Sequence, residues 1–146
     1  MATTVSVPAW KTAATLLARL IFAGLFIMGC SFKFMDMQGT AGYIAMAGFP
    51  ASLFLAWVAA FFELALALCF LTGAFFTEAA LIAGIYVVFL AFSFHGASHW
   101  QGGSDLENQL SIGAFIDHFT FLAGLLFAAV NGPGRFALGY RIIGRD

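Results

Sequence analysis

Six side chains in this chain combine chemical capability with apolar surroundings: Arg19, Lys33, Glu63, His95, His99 and His118. Glu63 stands inside an apolar run from Phe49 to Phe70. A carboxylate in such a setting must be paired, protonated or placed in a polar cavity, so it marks a functional site by default. Arg19 lies well into an earlier apolar run. At about 1.5 Å per helical residue the depths of Arg19 and Glu63 differ by roughly 6–9 Å, which an arginine side chain can largely span. The expectation is an Arg19–Glu63 ion pair, either purely structural or lining a ligand cavity, with a Glu63 that titrates alone as the remaining reading. Lys33, followed by Asp36, ends the same run. It reads as a cation snorkelling to headgroups or as a basic lip for an anionic or quinone-like ligand.

The histidines form a constellation. His95 and His99 are four residues apart and share a face if one helix carries both. His118, with Asp117 beside it, enters the next apolar segment from the same side. Three imidazoles grouped in this way can ligate a metal or haem, relay protons, or line a cavity for a small redox-active or lipid-soluble ligand. The plain alternative is a histidine that bonds to a neighbouring helix. The run His95-Gly-Ala-Ser-His99 lacks the glutamate of a zinc-protease helix, which rules that chemistry out. The cofactor-binding set is therefore Arg19, Lys33, Glu63, His95, His99 and His118, with His95, His99 and His118 as the metal-ligand set. A quinone is favoured over haem or a transition metal. No catalytic residue is assigned, and the sequence leaves open whether the chain is an enzyme.

These residues must be positioned by membrane helices. The chain is 62% hydrophobic and 9% charged, against about 25% charged in soluble domains. A net charge of −1 without a basic tract excludes nucleic acid as a partner and leaves the lipid bilayer. Four windows are long enough to cross it, roughly 12–34, 49–72, 75–99 and 112–130. The fold class is thus all-α: an integral membrane four-helix bundle, antiparallel, forming a single transmembrane domain over 1–146. Lys11 and Arg19 precede or enter the first span, while Arg135, Arg141 and Arg145 follow the last. With an even number of crossings, the positive-inside rule puts both termini in the cytoplasm and connections 35–48 and 100–111 outside.

Small residues four apart, such as Ala56 with Ala60 and Ala79 with Ala83, suit close helix packing. Trp100 reads as an interfacial anchor, and Trp57 as a deeper residue able to pack on the polar cavity. Cys30 and Cys69 fall toward the ends of successive spans, at opposite faces, which excludes a disulfide between them. Ile27-Met28-Gly29-Cys30 loosely resembles a lipoprotein cleavage site. Met before Gly fits poorly and the apolar run continues to Phe34, so an ordinary first membrane helix is expected.

Taken in order, Arg19, the Gly29-Cys-Ser-Phe-Lys33 stretch, Glu63, Leu71-Thr-Gly73 and the tail Asn131-Gly-Pro-Gly-Arg135 resemble the DoxX family of small bacterial membrane proteins, over roughly residues 15–141. The sequence departs from the family's usual Ser-x-Asp ending and reads Phe136-Ala-Leu-Gly-Tyr140. The resemblance implies a four-helix bundle in the bacterial cytoplasmic (inner) membrane. It also implies kinship with a membrane subunit of thiosulfate:quinone oxidoreductase and with members linked to oxidative-stress and thiol redox systems. The function expected is a membrane component of a redox or quinone-linked system. It would bind a small hydrophobic ligand, or a membrane or peripheral redox partner protein, with homo-oligomers as a further possibility. The alternatives are a non-enzymatic structural membrane subunit and a small transporter.

Overall fold

The computed structural model describes residues 7–138. Arg141, Arg145 and the end of the Phe136–Tyr140 tail lie outside the described residues. Four helices are long and apolar enough to cross a membrane: α1 (Ala9–Met35), α3 (Ser52–Thr72), α4 (Phe76–His95) and α5 (Asp105–Asn131). Among the described residues all regular structure is helical. A short α2 (Met37–Met46) fills much of the connection after α1, and one 3₁₀ turn, Ala97–His99, follows α4.

Each boundary has a local cause. Asp36 breaks α1 with a non-helical φ of −139° and then caps α2, accepting a hydrogen bond from the Gly39 N–H at 2.8 Å. The 35–48 connection is therefore largely helical, a feature that a search for long apolar windows passes over. Gly73 ends α3 at φ +77°, its N–H donating to the Cys69 carbonyl at 2.8 Å. A side chain there would meet Ala137 Cβ at 2.6 Å and the Arg19 guanidinium at 3.0 Å, so close approach as well as backbone conformation requires glycine.

The third apolar window stops as α-helix at His95, because Gly96 takes an extended φ/ψ of −66°/176°. His99 consequently stands on a separate 3₁₀ turn and not one turn further along the helix of His95. The fourth begins at Asp105, seven residues before the apolar window, under a capping box in which Ser104 and Glu107 each satisfy the other's backbone N–H. Polar residues hide that first turn from a hydropathy window while favouring it as helix.

The core lies between α1, α3, α4 and α5. Phe70 is fully buried at its centre, with ring centroids 5.3 Å from Phe22, 5.7 Å from Phe26 and 5.4 Å from Phe76. Small residues let backbones approach: Ala56, Ala60 and Ala83 are fully buried, and Ala79 nearly so. Outward faces are strongly apolar, with Phe54, Phe61, Ile85, Phe92, Phe127 and Val130 all exposed. A surface of that kind is compatible with lipid and not with water. Cys30 is buried in α1 and both cysteines are free.

Candidate functional site

Glu63 and Lys33 form the centre of the site. Glu63 is 4% exposed on α3, and its carboxylate accepts two hydrogen bonds from Lys33 Nζ, at 2.9 Å on Oε1 and 2.8 Å on Oε2. Oε1 also accepts the Tyr86 hydroxyl from α4 at 2.7 Å. Three helices thus meet at one carboxylate, and its charge is balanced by a single cation. Gly29 makes this possible. It lies one turn before Lys33 on the same face of α1, and a Cβ built on it would sit 2.7 Å from Glu63 Oε2. The Gly-x-x-x-Lys spacing therefore has a physical meaning: the glycine admits the carboxylate and the lysine neutralises it.

The expected Arg19–Glu63 pair does not form. Arg19 is 2% exposed, yet its guanidinium donates to four main-chain carbonyls: Phe70 at 3.1 Å, Leu71 at 2.8 Å, Pro133 at 3.1 Å and Phe136 at 2.9 Å. Phe70 is seven residues beyond Glu63 on α3, about 10 Å along the axis, so Arg19 sits at the wrong level for the carboxylate. The end of α3 instead offers carbonyls without intrahelical donors and the negative pole of the helix, and the planar fork of donors fits that ring. Lys33 is at the level of Glu63, and it pairs there instead of snorkelling away.

Beside the Lys33–Glu63 pair lies a cavity of about 490 Å³, within the roughly 300–1,000 Å³ of small-molecule sites. Its walls are apolar and largely aromatic, with Phe49, Phe62, Phe89 and Phe94 among them, and α2 closes one side through Thr40, Tyr43 and Ile44. Polar atoms enter at Lys33, Thr40, Tyr43, Tyr86, His95 and His118. The His95 and His118 rings are adjacent, their centroids 5.2 Å apart. Tyr43 stacks on Phe94 at 5.1 Å, and partial burial holds its phenol above the ordinary value, so it remains a neutral hydroxyl.

Of the six site residues expected from the sequence, Lys33, His95 and His118 line the cavity and Glu63 supports it from behind. Arg19 belongs to the other end of α1, and His99, exposed on its 3₁₀ turn, contacts Ser98 Oγ through Nδ1 at 3.1 Å. The three histidines are not gathered together. Among the described residues no group of three or more His, Cys, Asp or Glu side chains is placed to hold a metal ion. Trp57 stacks on Phe61 at 5.9 Å, outside the cavity, and Trp100 donates its indole N–H to the His95 carbonyl at 2.9 Å. Sequence reasoning missed Tyr86. Its one signal was a hydroxyl-bearing ring in an apolar helix, which when buried needs a hydrogen-bond partner.

The model of the DoxX family matches residues 14–96, more than half of the chain, and the chain belongs to that family. The match covers α1 to α4, hence Arg19, Gly29, Lys33, Glu63, Tyr86 and His95, and ends before His118. No curated protein and no solved structure matches the chain.

Proposed function

We propose that this protein is a membrane component of a redox or quinone-linked system and that its cavity binds a small hydrophobic ligand. The observation that carries this reading is the juxtaposition of an aromatic cavity with the Lys33–Glu63–Tyr86 cluster and the His95–His118 pair. Such a site suits a molecule with a flat apolar body and a small polar head. The four long helices support an antiparallel bundle in a bacterial cytoplasmic membrane with both termini inside, an orientation favoured by Lys11, Arg19 and Arg135.

The test is equilibrium binding of a short-chain benzoquinone and its hydroquinone to the full chain in lipid nanodiscs, with empty nanodiscs as the blank. Saturable binding of either oxidation state, abolished in Ala59→Phe because that side chain fills the cavity, supports the reading. Indifference to A59F in a folded protein contradicts it.

A second reading, a non-enzymatic membrane subunit, is favoured by α5, where only 6% of the most apolar stretch is buried. That face suits lipid or another membrane protein, and stable copurification with a redox partner would support the subunit reading.

A further inference from the structure

The hydrogen-bonding capacity left over in the cavity distinguishes one oxidation state of its ligand from the other. Six polar side chains line it, and most of their donors are already committed to the protein. Lys33 Nζ has three N–H groups, directed at Glu63 Oε1, Glu63 Oε2 and, at 3.4 Å, the Gly29 carbonyl. The Tyr86 hydroxyl hydrogen goes to Glu63, and that of Thr40 to the Asp36 carbonyl at 2.9 Å. His118 Nδ1 lies 2.6 Å from the Ala114 carbonyl. A carbonyl can only accept, so Nδ1 carries the proton, and in the neutral ring Nε2 is left as an acceptor. No hydrogen bond joins the His95 and His118 rings, although they are adjacent.

What remains is lopsided. His118 Nε2 and the Tyr86 oxygen can only accept without breaking bonds already made, while His95 and Tyr43 can adapt in either direction. A quinone carbonyl is itself only an acceptor and would leave His118 Nε2 unmatched, at the cost of a buried polar atom without a partner. A phenol or hydroquinone brings the missing O–H. The stacked Tyr43 and Phe94 rings, with Phe49 packed against Phe94, give the wall an aromatic surface for the ring of either oxidation state.

We propose that the cavity takes the hydroxylated ring, a hydroquinone or phenol-class lipophile, in preference to the quinone, and that His118 Nε2 accepts its O–H. This rests on the ligand-binding reading above and narrows it. His118 stands on α5, beyond the segment matched by the family model.

The experiment compares three probes on the full chain in nanodiscs under anaerobic conditions: a short-chain hydroquinone, its dimethyl ether and its quinone. The wild type should bind the hydroquinone about tenfold more tightly than either of the others, as one buried hydrogen bond allows. His118→Phe should reduce that difference to less than about twofold. His118→Gln, whose amide can donate as well as accept, should narrow it by admitting the quinone, and it guards against a fold lost in H118F. Equal or tighter quinone binding overturns the proposal while leaving the cavity reading intact, as does a preference that survives both variants. Failure of all three probes to bind the wild type overturns both.

Discussion

Arg19 and Lys33 stand on the same helix, 14 residues or about 21 Å apart, the first buried and the second partly buried, and their charges are handled in different ways. At the Arg19 end the guanidinium is enclosed, and four of its five N–H groups go to main-chain carbonyls from the end of α3 and from the segment after α5. At 2% exposure the residue offers no open face to a ligand, and it acts as a rivet. At the Lys33 end the charges are met by side chains, Glu63 and Tyr86, which border a cavity. Side chains can exchange partners when a ligand enters, whereas helix carbonyls cannot move without unwinding the helix. Burial of a charge in a membrane segment is therefore not by itself the sign of a site; what satisfies the charge decides.

The comparison can be broken most severely at Arg19. Arg19→Leu removes the donors of four carbonyls and should destabilise the fold by about 3 kcal/mol or more, since each stranded buried acceptor costs roughly 1–3 kcal/mol. Thermal unfolding in mild detergent measures it, and an unchanged melting temperature would remove the rivet. Gly29→Ala places a methyl group against the Glu63 carboxylate and should cost about 1–3 kcal/mol as the Lys33–Glu63 contact is forced apart. It should weaken ligand binding as well, because the disturbed pair borders the cavity. Tyr86→Phe is the mildest change, about 1 kcal/mol, because Glu63 keeps both bonds from Lys33. Its melting temperature should fall less than that of G29A, and the reverse order would mean that Tyr86 holds the carboxylate more than Gly29 admits it.

The sequence displayed the four long helices because lipid demands uninterrupted apolar stretches, and it singled out Glu63 because a lone carboxylate stands out among them. It concealed what depends on register and on local caps. The partner of Glu63 turned on which cation lies at its level, and Arg19 was drawn toward the carbonyls of a helix end. The separation of His99 from His95 followed from one extended residue, Gly96. The wall built by α2 was hidden because ten residues under an Asp36 cap are too short for a membrane window. Lys33, Glu63, His95 and His118 were nevertheless legible as candidates, since each is a polar group that an apolar helix does not otherwise need.

The decisive measurement is made on Glu63→Gln, with melting temperature and affinity for the cavity's quinone–hydroquinone probes determined on the same preparation. Gln keeps the size of Glu63 and an oxygen for Tyr86 and Lys33, but removes the charge that fixes the lysine. The account requires affinity for the hydroquinone probe to fall about tenfold or more, equivalent to about 1.4 kcal/mol, while the bundle stays folded. An E63Q protein that binds the probes normally while its bundle falls apart would make the Lys33–Glu63 pair a second rivet and contradict the account.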